Sequence, residues 1–556
     1  MGKNARVVIV GLDGATFDLI LPWIKEGKLP SLSHMIENGV YGELKSTIPI
    51  LTPAAWSSFM TGKNPGKHGI VGFFTREKDS YAVEVINSTH RSAKEIWTTL
   101  SENGKKVGIV NVPLTYPPKR VNGFMISGMM TPPNSDNFTY PLLLKEEVAK
   151  VVGGSTLDPL LTSLEKEEIF INELFDSTEK MAKISLFLVE KQEPDLFMVV
   201  FNGTDYIQHK FWKYIDPKHP EYKTEKSVKY RKMFLHFYQK VDEIFGNFLK
   251  MADERTTVIV MSDHGAGPLH KYIHVNSWLM QTGLLKLKNR PTTRLKRFLY
   301  KIGATPEKIL NALFSIHLAN IRVRINRTDE KLQSISSKLF MSFSDVDWTK
   351  TKAYSIGSGI IYINLKGREP SGSVSPGQEY ENLRKQISTR LRGLKDPENG
   401  ESVIEKVYKK EEIYTGPHID TLPDIVFISK PGYTTFEEHE FAANSVITQS
   451  KIVSGTHKLN GIFIMKGGGI KKSTALQGAN IVDLAPTILH LLGLPIPMDM
   501  DGRVLEEALT SSYLRLNPIR YTEDGTDFLQ KKKDQVYEHS DEEKIKSKLR
   551  ALGYVA

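Results

Sequence analysis

Short β-branched apolar runs that break off into carboxylate- and imidazole-bearing clusters punctuate this chain. Val7 to Val10 leads into Gly11-Leu12-Asp13-Gly14, Leu196 to Phe201 into Asn202-Gly203-Thr204-Asp205, and Thr257 to Met261 into Ser262-Asp263-His264-Gly265. Val107 to Val110 and Ile462 to Met465 are runs of the same kind. Such a run, with no polar alternation, suits a parallel strand buried on both faces. Longer stretches with helical spacing lie between them: Lys94 to Glu102, Glu165 to Lys191, Tyr230 to Met251 and Ile481 to Leu492. This alternation predicts an α/β fold, a doubly wound and mostly parallel sheet with helices on both faces. Ligands of such sheets sit beyond the carboxyl ends of the strands, so Asp13, Asp205, Asp263 and His264 are expected along one edge.

At 556 residues the chain exceeds one ordinary core. The rhythm breaks after about Leu284, where a basic segment is followed by the apolar run Ala353 to Ile363 and a Pro/Gly/Ser-rich loop at 367–377. The expected division is a catalytic domain in two parts, 1–283 and 423–516, an inserted α+β cap at 284–422, and a charged C-terminal appendage at 517–556 docked by Leu549, Leu552 and Tyr554. The cap's basic segment, Lys286 to Lys331, holds twelve Lys and Arg against three acidic residues, nearly all of the chain's net +10. That concentration points to contact with an anionic surface or substrate. A solvated helical face, with Leu295, Phe298 and Leu299 packing inward, is the alternative. The absence of cysteine restricts any metal site to nitrogen and oxygen ligands. No stretch reaches the roughly 18 apolar residues of a membrane span, and Val7 to Leu12 is too short for a signal-peptide core, so a cytoplasmic location is expected.

Leu51-Thr52-Pro53 through Thr61-Gly62 carries the punctuation of a short helix, with Thr52 at the N-cap, Pro53 at the first helical position and Gly62 past the end. A helix N-terminus favours an anion, whether an alkoxide or a phosphate, although helix capping alone also explains the pattern. Asp205 and His209 stand four apart on a helix start, where both can reach one point. Asp263-His264 at the end of a buried strand is costly unless ligated or paired. His457 in Gly455-Thr456-His457 adds a third imidazole. Taken together this all-N/O set suits zinc or manganese, and two such cations about 4 Å apart clamp an in-line phosphoryl displacement.

These motifs, with Thr61-Gly62-Lys63-Asn64-Pro65-Gly66-Lys67-His68-Gly69-Ile70 after Thr52 and Gly461-Ile462-Phe463 after His457, resemble in order the alkaline phosphatase superfamily, and within it the type I phosphodiesterase and nucleotide pyrophosphatase branch. The likeness covers roughly the first 270 residues and 420–510. It implies one cation held by Asp13, Asp263, His264 and the Thr52 oxygen, and a second by Asp205, His209 and His457. It also implies that Thr52 is transiently phosphorylated and released by water in a second step. Two zinc ions, or manganese, are the implied cofactors, and the implied substrates are phosphate esters: a phosphorylated small molecule, nucleotide, glycan or lipid headgroup.

One departure bears on substrate class. Nucleotide pyrophosphatases carry an Asn shortly after the His-Gly-Ile, whereas this chain continues Val71-Gly72-Phe73-Phe74. Pro53 has no N–H to offer. Charge stabilisation is therefore expected from the cations, from the N–H groups of Ala54 and Ala55, or from Lys271. The surroundings of Thr52 fit no sulfatase pattern. A phosphomutase of the same superfamily, or an inactive anion-binding module, are the competing readings.

Overall fold

In the computed structural model of the protein, residues 6–77, 79–153, 167–305, 340–436, 441–451, 453–523, 536–552 and 554 are described. Its centre is a nine-stranded sheet. In chain order its strands are β1 (Arg6–Leu12), β2 (Val40–Lys45), β5 (Val107–Val112), β6 (Gly123–Ser127), β7 (Thr139–Tyr140), β8 (Leu196–Phe201), β9 (Thr256–Met261), β18 (Asn460–Lys466) and β19 (Thr474–Asn480). A small hairpin of β3 (Phe74–Arg76) and β4 (Val83–Val85) lies between β2 and β5 in sequence. Across the sheet the order is β19-β2-β18-β9-β1-β8-β5-β6-β7.

The apolar runs become strands as expected, and β1, β8, β9 and β5 are parallel. The run Ile462 to Met465 departs from that pattern. It forms β18, antiparallel to both β9 and β2, because the preceding β17 (Gly455–Lys458) returns toward the site and reverses the chain. Side chains alternate across β1: Val10 and Leu12 enter a core with the long helices Glu167–Gln192 and Glu225–Met251, while Val7 and Ile9 enter a second core with the helices Thr52–Thr61 and Leu484–Leu491. The sheet is thus covered on both faces, the doubly wound arrangement.

After β9 the chain forms β10 (Gly265–Ile273), which pairs with β15 (Gly432–Thr435), β16 (Ile447–Gln449) and β17. The inserted region builds its own sheet, β11 (Ala353–Tyr354), β12 (Ile360–Ile363), β14 (Ile425–Ser429) and β13 (Ile404–Lys409). Since β14 pairs with both β12 and β13, this sheet runs past residue 422, where the sequence reading ended the insertion. Asp424, fully buried beside β14, accepts hydrogen bonds from Arg368 Nη2, Tyr380 Oη and the Ile363 N–H, each at 2.6 Å. Arg76 of β3 pairs with Glu369, tying the catalytic body to the cap.

Within the basic segment, residues 306–331 lie outside the described residues. The described helix Pro291–Lys301 turns Thr293, Lys296 and Tyr300 inward, and Lys296 pairs with Asp345 at 2.9 Å. Leu295 and Phe298 are 60% and 58% exposed, the reverse of the inward packing that a solvated basic face requires.

Removing one partner from a buried charge network leaves the other uncompensated and costs about 3–5 kcal/mol. Asp424→Asn should accordingly lower stability by about that amount in chemical denaturation, with the loss concentrated in signals from the cap. A shift below about 1 kcal/mol would show that Arg368 finds another partner.

Candidate active site

Asp13 follows the carboxyl end of β1, Asp263 and His264 follow β9, and Asp205 and His209 sit on the helix Gly203–Ile215 that follows β8. The three strands are neighbours, so their ends converge. Gly14 takes φ +66° and its N–H donates to Asp263 Oδ1 at 3.3 Å. A Cβ at Gly14 would stand 2.5 Å from Asp205 Oδ1, so this turn accepts only glycine without displacing Asp205. Thr52 is wholly buried and its Oγ1 lies 3.2 Å from His264 Nε2.

The structure corrects three expectations for this site. Thr52 is the first residue of its helix rather than the cap, which is Leu51 in extended conformation. Proline at the second position and the left-handed Gly62 close the helix as the punctuation implied. Ala55 has no free N–H, because it donates to the Leu51 carbonyl at 2.9 Å; Ala54, in the first turn, keeps the orientation of an N-terminal N–H. Lys271 is not available to a substrate: its ammonium is held at 2.6 Å by both Asp396 and Glu398.

The histidines share one arrangement. His209 Nδ1 contacts the Gly455 carbonyl at 3.0 Å, His457 Nδ1 the Ile50 carbonyl at 2.9 Å, and His264 Nδ1 the Gly265 carbonyl at 3.0 Å. A carbonyl only accepts, so each Nδ1 carries the proton and each Nε2 presents a lone pair. Those Nε2 atoms point together: His209 Nε2 is 3.1 Å from His457 Nε2, and the His264 and His457 rings stack with centroids 3.7 Å apart. Lone pairs this close repel unless positive charge lies between or beside them.

The carboxylates add to that demand. Asp13 Oδ1, Asp205 Oδ1 and Asp263 Oδ2 are buried without a hydrogen-bond partner among the described residues. Burial, then the charges of Asp263 and Asp205, push the Asp13 carboxyl well above its usual range. Burial and Asp205 raise Asp263 to about 8. Asp205 behaves oppositely: burial pushes it up, but positive charge on His209 and His457, present only when these imidazoles are protonated, outweighs burial and holds it below the usual carboxylate range. Two sets of ligand atoms lie within 4.8 Å of one another, Asp13 with Asp263 and His264, and Asp205 with His264 and His457. His209 Nε2 stands 3.1 Å from Asp205 Oδ2. Lone pairs and orphaned carboxylate oxygens around one buried point fit divalent cations.

Residues beyond the sequence expectation complete the site. Asn202 Nδ2 donates to Asp13 Oδ2 at 2.8 Å, and Asn111 Nδ2 donates to Asn202 Oδ1 at 2.8 Å. Gln208 Nε2 holds the Gly14 carbonyl at 2.8 Å. Asn202 lay within the polar cluster ending β8, a signal that could have marked it. Tyr554, expected only to dock the tail, donates its hydroxyl to Asp205 Oδ2. A cleft of about 160 Å³ opens from His209, His457 and Tyr554 toward Ser358, Phe427 and Lys430 of the cap.

The sequence pattern of type I phosphodiesterases and nucleotide pyrophosphatases matches residues 7–458. The chain belongs to this family. As a type I phosphodiesterase/nucleotide pyrophosphatase family member it is a phosphoric ester hydrolase. A comparison with curated proteins returns no match. Similar solved structures include human ectonucleotide pyrophosphatase/phosphodiesterase 5, with 14% identity over 91% of this chain and 100% of that one and a TM-score of 0.46. Phosphonoacetate hydrolase from Sinorhizobium meliloti 1021, in complex with phosphonoacetate, has 16% identity over 88% and 95% and a TM-score of 0.47. A mutant of alkaline phosphatase PafA has 15% identity over 92% and 100% with a TM-score of 0.50, which shows a shared fold.

For this family member the turn at Gly14 supplies a test. Gly14→Ala should cost about 1 kcal/mol or more through its positive φ and should also weaken cation binding by displacing Asp205. Gly104→Ala, at φ +74° with open space around it, imposes the strain alone and should leave cation binding intact. Equal cation affinity in the two variants would show that Gly14 has no bearing on the site.

Proposed function

We propose that this hydrolase cleaves phosphate esters with two divalent cations, zinc or manganese, and with Thr52 as its nucleophile. The observation that carries the reading is the convergence of three Nδ1-anchored imidazoles and three orphaned carboxylate oxygens beside the Thr52 hydroxyl. Asp13, Asp263, His264 and Thr52 would hold one cation, and Asp205, His209 and His457 the other. Bound there, the cations would supply Lewis acidity to the Thr52 hydroxyl and offset charge on the phosphoryl group. Thr52 Oγ1 gives up its proton to solvent and forms a bond to phosphorus as the bond to the leaving oxygen breaks, and that oxygen takes a proton from solvent. Water then forms the next bond to phosphorus, and the bond to Thr52 Oγ1 breaks. The N-terminus of the Thr52–Thr61 helix, with the Ala54 N–H, favours the phosphoryl oxygens throughout. Substrate is sought among phosphodiesters and monoesters alike, since Val71 and Phe73 are buried and offer no side-chain amide.

Thr52→Ala should still bind cations, the one held with Asp13, Asp263 and His264 more weakly for want of the Thr52 oxygen, and lose activity about a hundredfold or more toward chromogenic phosphodiester and phosphomonoester. Turnover above about a hundredth of parent would exclude Thr52 as nucleophile. Elemental analysis of chelator-free protein should return close to two zinc or manganese per chain, and full activity at a value near zero would refute the cation reading.

The helix Pro291–Lys301 supports contact with an anionic membrane surface. Its outward face alternates cations and apolar side chains, Arg294-Leu295, Arg297-Phe298 and Lys301-Ile302, and Ile302 is 63% exposed. That pairing suits the headgroup boundary. No helix among the described residues is long and apolar enough to cross a membrane. Parent protein should sediment with phosphatidylserine vesicles at low salt and release as salt screens the attraction. Reversing Arg294, Arg297 and Lys301 to Glu, and sparing the buried Lys296, should abolish sedimentation while leaving hydrolysis of a small ester unchanged. Equal sedimentation of variant and parent would reject membrane contact.

A further inference from the structure

The C-terminal segment reaches the catalytic edge from across the fold. The helix His539–Leu552 buries Ile545, Leu549 and Leu552 in the core shared by the long helices. Ahead of it, Tyr537 donates to the Met130 carbonyl at 2.7 Å and stacks on Tyr116. After it, the Tyr554 N–H returns to the Leu549 carbonyl at 3.0 Å, which turns the chain back toward the strand ends. The Tyr554 ring then packs against Phe73 and His209, each with centroids 5.2 Å apart, and lies 6.0 Å from His457.

The hydroxyl meets one oxygen of Asp205 and not the other. Oδ2 receives Tyr554 Oη–H and stands 3.1 Å from His209 Nε2. Oδ1 has no hydrogen-bond partner among the described residues and lies 3.8 Å from His457 Nε2. A carboxylate free to rotate about its Cβ–Cγ bond would exchange these oxygens; one whose Oδ2 is hydrogen-bonded on the tail side cannot.

We infer that Tyr554 is a positioning residue, supplied by the C-terminal segment, that fixes the Asp205 carboxylate so that Oδ1 faces the cation held with His209 and His457. This rests on the two-cation reading above. The segment 536–554 is then part of the active site, and a chain lacking it keeps the nucleophile and its neighbours but presents a loosened second cation site. Groups that orient a metal ligand in this way commonly contribute 10–100-fold to metal affinity.

The test is calorimetric titration of chelator-treated full-length protein with zinc. Tyr554→Phe keeps the ring and its packing and removes only the hydroxyl. It should leave one cation site unchanged, weaken the other by about 10–100-fold, and melt at the parent temperature when cation-free. In an Asp205→Asn background, Tyr554→Phe should produce no further weakening, because the acceptor geometry it secures is already lost. Unchanged affinity at both sites in Tyr554→Phe overturns the inference while leaving the two-cation reading intact. So does a gain in affinity or in turnover, which would make Tyr554 an obstruction. Parent protein that binds fewer than two zinc ions overturns the two-cation reading and this inference with it.

Discussion

Two like charges 4 Å apart repel by about 4 kcal/mol at an effective dielectric near 20, and Asp13, Asp205 and Asp263 stand together in a space that excludes water. Much of the catalytic edge answers that repulsion. Asn202 and the Trp56 indole donate to Asp13 Oδ2, the Gly14 N–H donates to Asp263, and the Tyr554 hydroxyl donates to Asp205 Oδ2. Each offsets one oxygen of its carboxylate. The other oxygens, left without hydrogen bonds, face the imidazole lone pairs, and the charge that remains is of a size that divalent cations neutralise.

The sheet makes this arrangement affordable in geometric terms. Three adjacent parallel strands deliver Asp13, the Asp205 helix and Asp263 to the same end, while apolar cores on both faces keep the strands rigid. The Thr52–Thr61 helix lies in the second core with Ala55, Trp56 and Phe59 wholly buried, so the threonine is placed by packing rather than by a flexible loop. His457 arrives from the opposite direction on β17, antiparallel to β10, and its register opposite Ala266 fixes its approach to His264.

How much of this the sequence discloses depends on how local each signal is. The ends of β1, β8 and β9 were legible because an abrupt change from apolar to acidic residues is both a strand terminus and a place where charge needs a reason. The helix at Thr52 was legible to within one residue; its cap proved to be Leu51, whose extended backbone provides the turn without a side-chain oxygen. The direction of β18 was not legible, since an apolar run reads the same in either orientation and only the return through β17 sets it. Lys271 looked like a free cation because its partners Asp396 and Glu398 lie more than a hundred residues away. Tyr554 carried an apolar reading as a docking residue, which its burial supports, and nothing adjacent to it in sequence announces that its hydroxyl meets Asp205.

The same distances govern when the site can exist. Its parts come from residues 13, 52, 202–209, 263–264, 457 and 554, so no segment of the chain contains even one complete cation site. Contacts of such separation form late and only together, since loop closure must precede any gain from them. A cation that binds the folded chain but not the unfolded one adds to stability in proportion to the logarithm of its concentration over its dissociation constant. In the cation-free chain, burial and mutual repulsion already drive Asp13 and Asp263 toward their protonated forms. On the two-cation reading proposed above, the ionised site would be a property of fold and cation jointly: the fold assembles oxygens that disfavour their own charge, and bound cations would restore it.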